Sequence, residues 1–259
     1  MPEHAAGFLR TGLLTLRNAV PTHRVVAMSD AIWDFLAAKH NRLRDNPETW
    51  TSIPGRAGLQ TLTRAGAFDA LGDYLTPHVD SLLGPHAWKE PKHWGHPLIT
   101  FPSPDGVWRI PASGWHVDSH RWSSGAVPGV VAFTFVGQVR PRGGGTLVLS
   151  GSHHLTWKLC QRSGGFAETS EMKTALTDES PWFADLWGGA VSSPGRLHEY
   201  LERGVVVDGI EIEVVELCGD PGDVVLMNPR CLHAPAPNTN AVPRLMLSDF
   251  LDRRSNDRM

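Results

Sequence analysis

Two stretches of this 259-residue chain hold residues whose types and spacing suit metal chemistry. The first is Gly114-Trp115-His116-Val117-Asp118. Side chains alternate along an extended strand, so the His116 imidazole and the Asp118 carboxylate project from one face. A short segment can then fill two neighbouring positions around a metal ion, and a third ligand has to come from elsewhere. Two imidazoles and a carboxylate leave half of an octahedral ion open, which is the arrangement of non-haem Fe(II) oxygenases. The second stretch is an apolar run, Asp223–Asn228, that ends shortly before His233. Eleven residues after His233, Arg244 opens another apolar run. A guanidinium held on a strand can grip a carboxylate through two parallel hydrogen bonds. A keto diacid that chelates a metal through one end needs such a partner at the other.

The third ligand has two claimants. His120 would share the face of His116 and Asp118 if the strand ran on. Arg121-Trp122-Ser123-Ser124-Gly125 signals that the strand ends near Asp118, which favours His233 and leaves His120 beside the site. An isolated His-x-Asp arises readily in a chain with thirteen histidines, so its weight depends on what positions it.

The elements that must do so are mainly β. From about Trp94 onward, short apolar runs alternate with Gly and Pro. They predict strands at Pro97–Phe101, Gly114–Asp118, Gly129–Val139, Thr146–Ser150, Ile210–Leu217, Asp223–Asn228 and Arg244–Leu251, the texture of a sandwich or barrel. Residues 1–93 read as a mostly helical layer around a short strand, Gly12–Leu16, with Pro21 as its stop. Ser29-Asp30 stands where an N-cap belongs, ahead of Ile32, Trp33, Phe35 and Leu36. Phe68, Leu71, Leu75, Val79 and Leu82 recur at helical spacing, Gly84-Pro85 ends that run, and Pro77 inside it predicts a kink or break. An insert at about 155–205 carries helices at Glu168–Leu176 and Asp178–Trp187. A segment of that length in a β domain is usually either a functional cover or mobile. The whole, 1–259, reads as one domain with a core at 94–254 and a charged, frayed tail from Asp252.

Bulk properties narrow the function. With 41% hydrophobic residues the chain can bury a substantial core. A formal net charge of −3 with scattered Arg and Lys gives no field for nucleic acid or an anionic membrane. Cys160, Cys218 and Cys231 are odd in number and widely separated, which opposes a disulfide framework or a zinc knuckle and suits a reducing cytoplasm. The apolar stretch Gly7–Leu16 is broken by Arg10 and is too short to span a bilayer. The remaining expectation is a soluble protein of the cytoplasm.

The His116-Val117-Asp118 triplet, the run Gly143-Gly144-Gly145-Thr146-Leu147-Val148-Leu149-Ser150-Gly151-Ser152-His153, and His233 followed by Arg244 together resemble the phytanoyl-CoA dioxygenase family. Gly12–Leu16 followed by a helix resembles the family's opening as well, so the likeness runs the length of the chain. It implies a double-stranded β-helix, a cupin-like jelly-roll. It implies Fe(II), 2-oxoglutarate and O2, with His116, Asp118 and His233 matching the iron ligands and Arg244 the partner of the 2-oxoglutarate carboxylate. It also implies a His at position 153 near the metal but not on it. Val117 stands where many members carry Gln. Related halogenases replace the carboxylate by Gly or Ala, so Asp118 points to hydroxylation or another C–H oxidation.

Plainer roles compete at several positions. His153 and His154 could staple a turn, and Arg244 could be half of an ordinary ion pair. Thr134 could donate to the same carboxylate, provided that it and not Phe133 points inward. Trp182, Phe183 and Trp187 could line a lid or merely anchor the insert. Trp94, Trp108 and Trp115 read as core, and Cys231 as a small buried filler. Two other functions would use the same residues: a cupin-like zinc hydrolase with a bound water, and a metal- or 2-oxoglutarate-binding sensor without turnover.

Overall fold

The computed structural model of the chain describes residues 3–51, 58–103, 106–120, 126–189 and 191–254. In order the elements are α1 (Glu3–Thr11), β1 (Leu13–Leu16), α2 (Thr22–His40), α3 (Gln60–Arg64), α4 (Leu71–Leu83), β2 (His96–Thr100), β3 (Gly129–Phe135) and β4 (Thr146–Ser150). The insert follows with α5 (Ser152–Arg162), α6 (Thr169–Glu179), α7 (Pro181–Gly188) and α8 (Pro194–His198), and the chain closes with β5 (Val205–Val207), β6 (Ile210–Glu216), β7 (Val224–Met227), β8 (His233–Pro235) and β9 (Arg244–Asp252).

All strand pairings are antiparallel. One sheet has the order β1-β7-β3-β9-β2 and the other β5-β6-β4-β8. This is the jelly-roll architecture expected. Three apolar clusters divide the packing. Val130, Ala132, Leu226, Leu245 and Leu247 turn from the five-stranded sheet toward α2 and α4. Val131, Phe133, Phe135, Val225 and Met246 face inward, against Val148, Leu217 and Cys231. Leu147, Leu149, Ile212 and Val214 turn outward from the four-stranded sheet and are covered by the insert. The central strands β3 and β7 therefore bury both faces, which is why β3 reads as an unbroken apolar run rather than an alternating one.

Some expectations need correction. α2 already begins at Thr22 with Pro21 as its N-cap residue, so Pro21 starts this helix and Ser29 lies buried within it. Proline suits that position because the first helical N–H groups have no intrahelical partner to lose. Val25, Met28, Ile32 and Leu36 continue a single buried stripe across the presumed boundary. α4 runs through Pro77 to Leu83 without a break. Gly114–Asp118 is not a strand of either sheet; it makes a single bridge, His116 to His233. The short strands β5 and β8 and the helices α1, α5 and α8 were not foreseen. The expected stop at Arg121–Gly125 lies outside the described residues, as do residues 255–259 of the tail. Asp252 itself closes β9, and Arg253 bridges Trp88. Among the described residues, no helix is long and apolar enough to cross a membrane.

Candidate metal centre

His233 opens β8 after a turn that Asn228 organises, its side chain accepting from the Arg230 amide (3.0 Å) and its carbonyl from the Cys231 amide (2.8 Å). On one side β8 pairs with β4, with Val148 opposite His233. On the other, His116 and His233 exchange both backbone hydrogen bonds at 2.9 Å. The 114–118 strip thus needs no sheet of its own to stay extended. Trp115 and Val117 are buried, while His116 and Asp118 turn the other way, so the same-face argument holds without the strand. The Pro229 carbonyl accepts from the amides of Asp118 (2.9 Å) and Ser119 (3.0 Å), which fixes the carboxylate end of the strip.

These contacts bring three distant side chains together. Asp118 Oδ2 lies 3.4 Å from His233 Nε2, and Asp118 Oδ1 lies 4.0 Å from His116 Nε2. One ligand atom from each of the three lies within 4.8 Å of the others. Each imidazole also has its other nitrogen committed: His116 Nδ1 is 2.8 Å from the Gly114 carbonyl, and His233 Nδ1 is 3.0 Å from the Cys231 carbonyl. A carbonyl only accepts, so Nδ1 must carry the proton and Nε2 presents its lone pair to the shared space. Burial lowers the His233 pKa, which favours the neutral ring that a metal requires. The donor set of two imidazole nitrogens and a carboxylate fits a divalent iron.

Arg244 is buried on the inner face of the large sheet, on the same side as Met246 and Ser248. Its Nη1 donates to the Gly144 carbonyl at 2.7 Å, and its Nε has no partner. Among the described residues no carboxylate lies within ion-pair distance of it, so the ordinary ion pair is not formed. Burial pushes its pKa down to about 10, opposed by the charge of Glu216 farther off. A buried guanidinium with an unused donor is costly unless an anion arrives. The carboxylate end of a keto diacid fits that need.

The other sequence-marked residues fall elsewhere. His120 joins the insert, its Nε2 3.0 Å from Thr169 Oγ1, and is not among the converging ligands. His153 is structural, with Nε2 3.1 Å from the Leu9 carbonyl, and burial holds its pKa near about 4. Cys231 packs against it as a buried thiol whose pKa burial raises to about 12. Phe133 faces inward, and Thr134 faces the helical layer opposite Leu247 and Val224, so it is turned away from Arg244. Phe183 is fully buried, and Trp187 stacks on it and meets Trp115 edge-on at 5.8 Å. Those aromatics anchor the insert to the strip that carries His116. The carbonyls of Gly114 and Cys231 escaped the sequence reading because any residue type supplies a carbonyl.

Residues 8–246 match the sequence family described as phytanoyl-CoA dioxygenase. The chain belongs to that family. Family members are Fe(II)- and 2-oxoglutarate-dependent oxygenases that use O2. A comparison with curated proteins gives no match by sequence. Among solved structures it is similar to EctD from S. alaskensis in its apoform (TM-score 0.57, 18% identity, covering 99% of this chain and 78% of that one). It is also similar to HygX from Streptomyces hygroscopicus with nickel and 2-oxoglutarate bound (TM-score 0.51, 15% identity, 99% and 87% covered). A third likeness is the carbocyclase SnoK of nogalamycin biosynthesis (TM-score 0.51, 14% identity, 98% and 84% covered). At such identities the likeness is one of fold. Membership of the family makes this chain an Fe(II)/2-oxoglutarate-dependent oxygenase.

Proposed function

We propose that the protein hydroxylates, or otherwise oxidises at an unactivated C–H bond, a small-molecule metabolite, with release of succinate and CO2. His116, Asp118 and His233 hold the iron, and Arg244 holds the far carboxylate of 2-oxoglutarate. One observation carries this reading: three ligand atoms lie within 4.8 Å of one another, and a buried arginine without a carboxylate stands on the inner face of the facing sheet. When bound, iron and 2-oxoglutarate together supply the O2-derived oxidant.

The chain's own residues do the rest. The two Nδ1–carbonyl hydrogen bonds hold the His116 and His233 rings with Nε2 aimed into the shared space. Arg244 sets the distance and direction of 2-oxoglutarate through its far end. From Asp118 a cavity of about 350 Å³ extends along the inner sheet face past Leu98, Val131, Ser248 and Phe250, and His96 and Leu59 also line it. Arg244 faces Thr100, and Ser248 faces His96, on the same pair of strands. Arg244 and Ser248 are therefore about 13 Å apart along β9, four residues at the rise of a strand. The volume suits a small metabolite. The insert buttresses the ligand strip through Trp187 and Trp115 and through the His120 contacts to Ala167 and Thr169.

The test is succinate release measured with iron and ascorbate, with zinc in place of iron, and in Asp118→Ala. The expected result is iron- and O2-dependent release that Asp118→Ala abolishes while its melting curve stays cooperative. Turnover with zinc and no oxygen demand points instead to a hydrolase. Tight 2-oxoglutarate binding without succinate points to a sensor. Turnover retained by Asp118→Ala discards the ligand assignment.

A further inference from the structure

Glu216, the last residue of β6, has no part in the site as described, yet its carboxylate is turned into the glycine-rich turn that precedes β4. Oε2 accepts from the Arg142 amide at 2.7 Å and Oε1 from the Gly145 amide at 3.1 Å. Burial raises the pKa of this carboxylate, and hydrogen bonds from backbone amides oppose that rise. Two amides of one turn converge on this half-buried carboxylate.

The peptide unit between Gly144 and Gly145 explains the arrangement. Its N–H belongs to Gly145 and points at Glu216; its carbonyl belongs to Gly144 and accepts from Arg244 Nη1 at 2.7 Å. No described peptide bond is cis. In a trans peptide the N–H and C=O point in opposite directions, so fixing one end aims the other. A single peptide plane therefore bridges a carboxylate and a buried guanidinium, and each charge polarises the bond the other uses. The turn has no slack in which to swing. Gly144 has φ +80°, and a Cβ there would come within 2.9 Å of the Asn238 Cβ. A Cβ on Gly145 would meet the Leu217 carbonyl at 2.2 Å.

We propose that Glu216 is a positioning residue for the cosubstrate arginine: it orients the Gly144–Gly145 peptide so that its carbonyl holds the Arg244 guanidinium in place for the far carboxylate of 2-oxoglutarate. The inference rests on the reading of Arg244 given above. Glu216 touches neither metal nor cosubstrate and acts only through that peptide.

The experiment titrates metal-loaded protein under nitrogen with 2-oxoglutarate and with 2-oxobutyrate, which has the keto acid end but no far carboxylate. In Glu216→Gln the amide replaces a charged acceptor, and the Kd for 2-oxoglutarate should rise about fivefold, the size of one hydrogen bond weakened. Binding of 2-oxobutyrate and of the metal should stay within about twofold, because neither uses Arg244. The KM for 2-oxoglutarate should rise while kcat at saturation holds. Glu216→Asp keeps the charge one methylene short, should fall between, and serves if Glu216→Gln does not fold. In an Arg244→Met background Glu216→Gln should add nothing. A folded Glu216→Gln with parental 2-oxoglutarate affinity overturns the proposal, as does an additive double variant or an equal loss of 2-oxobutyrate affinity. If Arg244→Met alone leaves 2-oxoglutarate binding unchanged, the reading of Arg244 fails and the proposal with it.

Discussion

Arg244→Met is the sharpest perturbation the site offers. Methionine is unbranched and flexible enough to follow much of the arginine's path, so it removes the charge while limiting the void left behind. Arg244 is 6% exposed, its Nε has no partner, and its one observed hydrogen bond goes to the Gly144 carbonyl. Two opposite consequences follow for one substitution. Without cosubstrate the variant should melt no lower than the parent, because an uncompensated buried cation has been deleted. With cosubstrate it should lose a charge-assisted contact of about 1.5–3 kcal/mol, or roughly ten- to a hundredfold in affinity. At 2-oxoglutarate one hundred times the parental Kd, the parent gains about 2.7 kcal/mol of stability, and a variant binding about thirtyfold more weakly gains about 0.9 kcal/mol. For a chain of this size those gains correspond to melting shifts of roughly 5–11 °C and 2–4 °C. The assay is a thermal melt of nickel-loaded protein with and without 2-oxoglutarate. An equal ligand-induced shift in parent and variant would refute the reasoning, because the buried cation would then have no role in holding the cosubstrate.

Asp249 gives a pH signature away from the metal. It is buried against Gly95, with the Gly95 amide donating to Oδ1, Oδ2 without a partner, and Asp69 a like charge acting on it, itself beside His93. Burial lifts its pKa from 3.8 to about 7. Below pH 4 it is protonated folded or unfolded and costs nothing; as pH climbs toward 7 only the unfolded chain ionises, so stability falls and then levels off. The loss is about 4 kcal/mol at most, given about 1.36 kcal/mol per unit of pKa. Asp249→Asn should therefore be the more stable protein above pH 7 and converge with the parent near pH 4; parallel melting profiles would show that the carboxyl is not held protonated. Leu98→Trp should fill the cavity beside Asp118. Substrate-stimulated succinate release should vanish while 2-oxoglutarate affinity stays within about twofold, and unaltered stimulation across a metabolite panel would place the substrate elsewhere.

Most of the site could be read from residue spacing, because its chemistry depends on side-chain types that are scarce and directional. His116 and Asp118 sit two apart, and two apart on an extended chain means one face whether or not a sheet is present. The structure bears that out while removing the strand assumed to produce it: extension comes from one bridge to His233 and from the Pro229 carbonyl. Helix boundaries were less legible. Ser29 looked like a cap because serine accepts amide bonds well, yet the apolar stripe from Val25 to Leu36 outweighed that local preference. The inward choice between Phe133 and Thr134 could not be made in sequence, since β3 is apolar on both faces and only the register with β7 and β9 separates them. Glu216 was invisible for a different reason. Its importance lies in which amides it meets, and those come from a turn more than seventy residues earlier.

The same geometry explains why the two halves of the site sit on different sheets. His233 belongs to β8 of the four-stranded sheet and Arg244 to β9 of the five-stranded one, with the connecting loop crossing between them. A ligand that bridges the metal and Arg244 therefore ties one sheet to the other across the inner cluster of Phe133, Phe135 and Met246. The Gly144–Gly145 peptide makes a second tie, from Glu216 on β6 to Arg244 on β9. Cosubstrate binding should then be felt as reduced separation of the sheets, seen as slower amide exchange in β9 and β4 together. Protection confined to the 114–118 strip would mean that the keto acid end alone is held.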